Sequence, residues 1–489
     1  MSTFLEELLK NPTVNVYQSD NFIKNEFDPS IETDFKRLIV TWISEDNLKS
    51  ILTKYQGNIN FDIPREEGLF SFREDLTYRI CHPFTDGLKA NQFLPIEEHL
   101  KQSLLSIDAV ARDLRTGKLL DPFNGIEDLK RRRIRIVNDT LLGRFPIKIL
   151  EILAFSSKYG YELTASAKAS IHRYQKHLSS VENESFGYIL DEVIKKNKAP
   201  KAFFDLLDSF GILSKVMPKL SNARFIVQGR KAGVMNVMEH SLLSLNAARP
   251  FKPEVRWAAL YHDLGKTATA KEINSKTRYF GHEKVSAKWA YKDLLDWGFG
   301  KEFARSVSHL ILHHMFDGGP QLTDDAVKRL IRRVGTEHIF DLLDLRLADS
   351  AGFIGKPTGI WKVNKLRSRI SQELAKNPFS IKGLKVNHAD VERITQIKEP
   401  IIQENILNYM LVLVLAQKLE NNTNALLTWL HSTNFEKIGK FCPMGLEWIL
   451  DQHRNRIENK ADENMNGTLK CGKFCGYKCD NNEKDLWTL

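Results

Sequence analysis

The residues best equipped for chemistry lie between positions 238 and 350. Met238-Glu239-His240, Tyr261-His262-Asp263-Leu264-Gly265-Lys266, Gly281-His282-Glu283, Leu312-His313-His314-Met315 and Leu347-Ala348-Asp349-Ser350 all carry imidazole or carboxylate donors. Such donors suit Mn, Ni, Co, Fe or Zn better than Ca. A bound ion of this kind lowers the pKa of its water toward ~7 and so supplies a hydroxide for attack on phosphorus. The pattern therefore predicts a metal-dependent phosphohydrolase site. Adjacent His262 and Asp263 can converge on one ion only if their helix stops there, and Gly265 is the expected stop. Lys266 then stands beside the metal, placed to neutralise a phosphate. His309, His338 and His388 are isolated on helical patterns and read as core or surface histidines.

These residues must be held by helices. From about 126 onward the apolar spacing is nearly all helical. The predicted helices run over Phe145–Tyr159, Ala165–Leu178, Tyr188–Lys196, Pro200–Phe210, Met235–Ala248, Pro253–His262, Glu283–Trp297, Lys301–His313, Asp324–Val334 and Thr336–Asp349. Pro253 suits a first helical turn. Residues 1–125 are mixed: Phe35–Ile43 reads as a strand, Ser44–Tyr55 as a helix, and Asn58–Ile63 and Leu76–Ile80 as further strands. The expected fold is thus mainly α, with a small N-terminal α/β head at 1–125. A helical neck and body at 126–225, a phosphohydrolase domain at 226–375, C-terminal helices at 376–458 and a Cys-containing tail at 459–489 follow.

A length of 489 residues requires several cores. Ile406–Leu419 is too short to span a bilayer and reads as a buried helix. The N-terminal segment lacks the pattern of a signal peptide, and four of the five cysteines lie after residue 440, so a reducing cytoplasm is the expected compartment. The net charge of +10 favours a polyanionic partner. Basic residues gather at Lys130, Arg131, Arg132, Arg133 and Arg135 and recur at helical spacing at Lys328, Arg329, Arg332 and Arg333, the candidate RNA-binding residues. A third run, Lys362, Lys365, Arg367 and Arg369, follows Trp361.

The order His240, His262-Asp263, Asp349, with Leu264-Gly265-Lys266 after the dyad, resembles the HD phosphohydrolase superfamily. The resemblance implies His240, His262, Asp263 and Asp349 as core metal ligands. His282, His313 and His314 resemble the additional ligands of its dinuclear members, as second-metal or phosphate-binding residues. One ion or two remains open.

A longer resemblance covers about residues 105 to 430. Ile107-Asp108-Ala109-Val110-Ala111-Arg112-Asp113-Leu114, followed by Thr116-Gly117-Lys118-Leu119-Leu120-Asp121-Pro122-Phe123-Asn124-Gly125-Ile126-Glu127-Asp128-Leu129, is similar to the bacterial CCA-adding tRNA nucleotidyltransferase and poly(A) polymerase family. So are Arg144 to Tyr161, Asp205 to Leu213, Met238 to Leu242 and Phe379 to Thr395. The family's transferase chemistry needs a D-x-D pair that holds Mg²⁺. The best place for it is Asp34-Phe35-Lys36, where a lysine stands at the second carboxylate. The Gly-Gly turn expected near residues 18–27 has no glycine. The R-R-D-x-x-x-N element is replaced by Gln102 to Asp108, and the base-reading E-D-x-x-R by Arg144-Phe145-Pro146-Ile147-Lys148. Asp62, Glu66 and Glu67 are the substitutes to weigh for the missing carboxylates.

The resemblance and its losses imply a metal-dependent phosphohydrolase acting on tRNA or RNA ends, at 2′,3′-cyclic or 2′-phosphates. The head is then a binding element that no longer transfers nucleotides. The alternatives are a cyclic-nucleotide or nucleotide phosphodiesterase, a non-enzymatic tRNA-binding protein and, last, a divergent active transferase. Cys471, Cys475 and Cys479, spaced by four with Gly472 and Gly476 between, are candidate ligands for a structural zinc in the tail. The sequence carries no signal for oligomeric state.

Overall fold

The structure, a computed structural model, describes residues 3–433 apart from 34, 55–57, 61–69, 74–76, 86–88, 231–232, 275, 317–321, 355–358 and 417. Its elements are mainly helical with one sizeable sheet near the N-terminus. Two compact units are present, Met1–Glu373 and Leu374–Leu489. The boundaries expected at 125 and 225 fall inside the first unit. The candidate zinc ligands Cys471, Cys475 and Cys479 lie outside the described residues, as do Asp34, Asp62, Glu66 and Glu67.

The head begins with helix α1 (Thr3–Lys10), strand β1 (Asn15–Gln18), helix α2 (Asn21–Phe27), strand β2 (Phe35–Thr41) and helix α3 (Glu45–Thr53). Strands β3 (Asn58–Asn60), β4 (Phe70–Arg73), β5 (Thr77–Cys81), β6 (Ala111–Asp113) and β7 (Leu119–Leu120) complete a seven-stranded sheet of order β3-β4-β5-β2-β1-β6-β7. Only β2 and β5 pair in parallel, with Phe35 opposite Thr77 and Ile39 opposite Cys81. Successive side chains of a strand point to opposite faces. Leu38 and Val40 accordingly pack with Phe4, Leu8, Leu48 and Ile80, while Ile39 packs with Cys81, Ile96, Leu100 and Ala111. Burial on both faces explains the apolar run Leu38–Val40 of β2.

The helical part of the first unit contains α4 (Lys148–Tyr159), α5 (Ala165–Tyr174), α6 (Asn183–Lys196) and α7 (Lys201–Ser209). A hairpin of β8 (Val227–Arg230) and β9 (Gly233–Asn236) leads into α8 (Val237–Ala247) and α9 (Pro253–Tyr261). A second hairpin, β10 (Lys271–Ile273) with β11 (Lys276–Arg278), precedes α10 (His282–Asp296), α11 (Lys301–His313), α12 (Asp324–Val334), α13 (Ile339–Ile354) and α14 (Ile360–Lys376). Every residue of α9 from Val255 to Tyr261 is buried, as a helix at the centre of its layer must be. That burial includes Arg256, whose Nε donates to Ala248 O at 3.0 Å and whose Nη1 donates to Asn197 O at 2.8 Å and to Ile194 O. Ala248 and Asn197 cap the C-termini of α8 and α6, so one guanidinium satisfies the terminal carbonyls of two helices.

The second unit holds α15 (His388–Thr395), α16 (Pro400–Leu415) and α17 (Thr423–Ser432). Its core is built from Leu384, Val391, Ile406, Met410, Leu426 and Leu430. Asn387 and Asp390 form a reciprocal capping box that starts α15 at His388. The apolar α16 is packed in this core. Among the described residues no helix is long and apolar enough to cross a membrane.

Candidate metal centre

His240 lies on α8, His262 and Asp263 follow α9, His282 opens α10, His314 follows α11 and Asp349 lies on α13. Their side chains converge and are buried. Two groups of three donors result, His240 with His262 and Asp349, and Asp263 with His282 and His314, each with its ligand atoms within 4.8 Å of one another. His240 Nε2 is 3.1 Å from His262 Nε2 and 3.2 Å from Asp349 Oδ1. His282 Nε2 is 3.4 Å from His314 Nε2. Donors that share one ion at ~2.1 Å are about 3.0–3.5 Å apart, so these spacings suit a divalent transition metal.

Asp263 joins the groups. Its Oδ2 is 3.4 Å from Nε2 of both His240 and His262, and its Oδ1 is 3.3 Å from His282 Nε2 and 3.8 Å from His314 Nε2. A carboxylate placed in this way can bridge two ions. Three imidazoles are oriented by one device: Nδ1 of His262, His282 and His314 donates to the carbonyl three residues earlier, Ala259 at 2.9 Å, Tyr279 at 2.7 Å and Ile311 at 2.7 Å. A carbonyl only accepts, so Nδ1 carries a proton and Nε2 faces inward, the orientation in which a metal can take the place of any proton on Nε2. His240 is held by packing instead. Its ring lies 4.2 Å from that of Phe353, and its buried Nδ1 has no hydrogen-bond partner among the described residues.

The electrostatics match this donor set. Burial alone would depress His262, yet Asp263 and Asp349 overcome it and push its pKa up to about 10. Burial alone would raise both carboxyls; neighbouring His262 and, for Asp263, His282 and Lys266 hold them well below the usual range. Burial drives His314 down to about 3 and also lowers His240, so these rings are neutral and ready to donate a lone pair.

Lys266 reaches the centre as its position beside the dyad implied. Its Nζ is 2.6 Å from Asp263 Oδ2 and 2.7 Å from Gln228 Oε1. Gly265 acts differently from expectation. Its φ of −61° is right-handed, and α9 has already ended at Tyr261. Glycine is needed there for close approach, because a Cβ would lie 2.3 Å from His282 O and 2.8 Å from Ser286 N. His313 is corrected as well. The structure turns it away from both donor groups, with its ring 4.6 Å from that of His309, and burial with His309 and Arg333 nearby lowers it to about 4. Neighbouring residues on a helix point about 100° apart, so one of the His313-His314 pair had to face away.

Two supporting residues were missed from sequence. Gln228 sits on β8, in a short hairpin concealed within a helical region. Arg346 Nη1 donates to Asp349 Oδ2 at 3.1 Å, leaving Oδ1 for the histidines. Its position three residues before Asp349 on one helix was a usable signal.

Comparison with known proteins places this geometry. A model of the HD domain matches residues 234–351, the span of the site. An A-adding tRNA nucleotidyltransferase of Deinococcus radiodurans is 26% identical over 325 residues, covering 62% of this chain and 73% of that protein. A multifunctional CCA protein of Paraburkholderia phymatum is 30% identical over 203 residues, 38% of this chain and 47% of that protein, so about half of that relative is spanned. The crystal structure of the Bacillus stearothermophilus CCA-adding enzyme in complex with CTP shares the fold, with a TM-score of 0.63, 17% identity and coverage of 94% of this chain and 100% of that one.

The chain resembles the CCA-adding tRNA nucleotidyltransferases and carries an HD domain at residues 234–351.

The head of this chain carries a distinct group of charges. Ser19 and Asp20 make the turn from β1 into α2, where the glycines were sought. Asp20 is buried and accepts from the backbone N–H groups of Phe22 at 2.9 Å, Ile23 at 3.3 Å and Arg37 at 2.8 Å. Lys36 Nζ lies 5.3 Å from the centre of the Phe22 ring, and Lys24 Nζ lies 2.5 Å from Asp108 Oδ1. Among the described residues, the groups of three or more His, Cys, Asp or Glu able to hold a metal are the two in the HD domain.

The basic run at 130–135 is not the free strip expected. Arg131 pairs with Glu127, Arg132 with Asp28 at 2.9 Å, and Arg133 and Arg135 with buried Asp128 at 2.9 and 2.7 Å. Lys130 lies over the Phe27 ring. Lys130 and Arg132 reach residues of the head, while Arg131, Arg133 and Arg135 pair with acids of their own neighbourhood. On α12, Val327, Leu330, Ile331 and Val334 are buried, Lys328, Arg329 and Arg332 are half-buried, and Arg333 is exposed.

Proposed function

We propose that this chain is a metal-dependent phosphohydrolase acting on tRNA or other RNA ends that carry 2′,3′-cyclic or 2′-phosphates. The observation that carries the reading is the pair of three-donor groups joined by Asp263. Divalent transition metal bound there, at one or two positions, would supply Lewis acidity at the phosphate. The ligands are His240, His262, Asp263, His282, His314 and Asp349. Lys266 neutralises a phosphate oxygen next to Asp263, and Arg346 keeps Asp349 turned inward. In this reading the head no longer transfers nucleotides and serves RNA binding, which accords with Lys36 at the D-x-D position, Ser19-Asp20 in the turn and Lys24 on Asp108. Lys328, Arg329, Arg332 and Arg333 of α12 are the candidate RNA contacts on that helix, with Arg333 exposed.

A second reading, active nucleotide transfer, is favoured by the Deinococcus radiodurans relative, which is named an A-adding tRNA nucleotidyltransferase. One experiment separates the two. The chain reconstituted with Mn²⁺, Ni²⁺ or Co²⁺ is given RNA ending in 2′,3′-cyclic phosphate or 2′-phosphate, cyclic dinucleotides, and CTP and ATP with tRNA lacking its terminus. Hydrolysis of the RNA ends that disappears in the His262→Ala, Asp263→Ala double variant is the expected result. Nucleotide addition that survives this double change would establish the second reading. Absence of all hydrolysis would leave the HD domain without a catalytic part.

A further inference from the structure

Exposed apolar side chains gather around this centre. Phe280 is 75% exposed two residues before His282, and Met315 is 61% exposed immediately after His314. Phe225 and Val227, 76% and 62% exposed, flank the start of β8, whose Gln228 holds Lys266. Single exposed apolar residues are ordinary on a protein surface, whereas a cluster at a functional site marks a contact surface.

A continuous path leads from the metal centre to this rim. Lys266 Nζ contacts Asp263 at 2.6 Å and lies 5.6 Å from the centre of the Tyr279 ring. The Tyr279 hydroxyl donates to Val227 O at 3.2 Å, and its carbonyl holds the His282 ring. Phe280 comes next, and Gly281 at φ +76° then turns the chain into α10. The left-handed turn lets His282 point inward while its near neighbour faces solvent. Two residues span at most about 7 Å, so Phe280 stands within one nucleotide's reach of a phosphate on the centre.

We propose that Phe280 is the base-stacking residue of the HD site, with Phe225, Val227 and Met315 forming the apolar rim, so that the substrate is a phosphate ester bearing a nucleobase. This rests on the phosphohydrolase reading for its catalytic consequence, though not for binding. The centre and Lys266 take the charged phosphate, and the rim takes the flat apolar part of the same molecule. Stacking is tolerant of base identity because every base has a π-face. The site therefore selects nucleotides and RNA ends over sugar phosphates without reading sequence.

The test uses the full chain loaded with Mn²⁺, with adenosine 2′-phosphate and ribose 5-phosphate as probes in direct binding, and adenosine 2′,3′-cyclic phosphate in turnover. Phe280→Ala is expected to weaken adenosine 2′-phosphate about 10–100-fold. Its KM for the cyclic nucleotide should rise similarly with kcat little changed, Phe280→Trp should restore both, and ribose 5-phosphate should bind equally to all variants. Unchanged adenosine 2′-phosphate binding in Phe280→Ala, or equal weakening of both probes, overturns the proposal. Base-dependent binding through Phe280 without turnover would sink the hydrolase reading and sustain the stacking site.

Discussion

His240 on α8 and His262, immediately after α9, bring their Nε2 atoms to 3.1 Å. Two neutral imidazoles would gain nothing from such an approach, so positive charge belongs between them, either a proton on His262 favoured by Asp263 and Asp349 or a metal ion in its place. The geometry is favourable when a cation sits between them, and Asp263 and Asp349 complete that surrounding. Alanine at His240, His262, Asp263 or Asp349 should therefore lower bound metal and reduce phosphohydrolase activity at least ~100-fold, with chelation of the parent chain doing the same. Metal analysis after gel filtration, paired with circular dichroism, checks it; full metal content in His262→Ala would contradict the ligand set.

The approach of α8 to α13 depends on Gly352. A Cβ there would lie 2.2 Å from Ser244 Oγ and 2.7 Å from His240 Nδ1. Gly352→Ala should cost about 1–3 kcal/mol through overpacking and also displace His240. A raised metal dissociation constant together with a lower Tm is the expected signature. Unaltered metal affinity would show that the helices separate without moving the ligand.

Arg256 is buried among carbonyls, and burial brings its pKa down to about 10. Arg256→Met should destabilise the first unit by roughly 3 kcal/mol or more, because the C-terminal carbonyls of α6 and α8 lose a shared donor. Arg256→Lys should recover little of this, since one ammonium lacks the planar fork that reaches all three carbonyls. Thermal unfolding of the three proteins decides the point, and a lysine variant as stable as the parent would refute the fork argument.

Asp28 links the head to the neck by accepting from Tyr161 Oη at 2.8 Å and from Arg132, and it also accepts locally from Ser30 Oγ at 2.7 Å. Burial would raise its carboxyl, but these donors hold it below its ordinary value. A depressed folded pKa contributes stability above the unfolded value of about 3.9, and that contribution is lost as pH falls through the folded value. Asp28→Asn should lower Tm at pH 7, with the gap to the parent closing toward pH 3. A gap independent of pH would assign the loss to packing alone.

The sequence by itself determined the ligand types, their order, most helices and the mixed head. Periodicity is a local property, so Lys301–His313 and Asp324–Val334 match their helices end to end, and Pro253 opens its helix as read. The chain also displayed its lysine at position 36 and its missing glycines without help from a structure. Only the tertiary structure decided which donors meet. It selected His314 over His313, divided Asp263 between two groups, recast Gly265 from a helix stop to a point of close contact, and engaged Arg131 to Arg135 with Glu127, Asp28 and Asp128. The reason is physical: a residue's type and helical phase are written along the chain. The partner of a side chain, however, depends on how helices distant in sequence pack, and the energy of that packing is shared across the whole core.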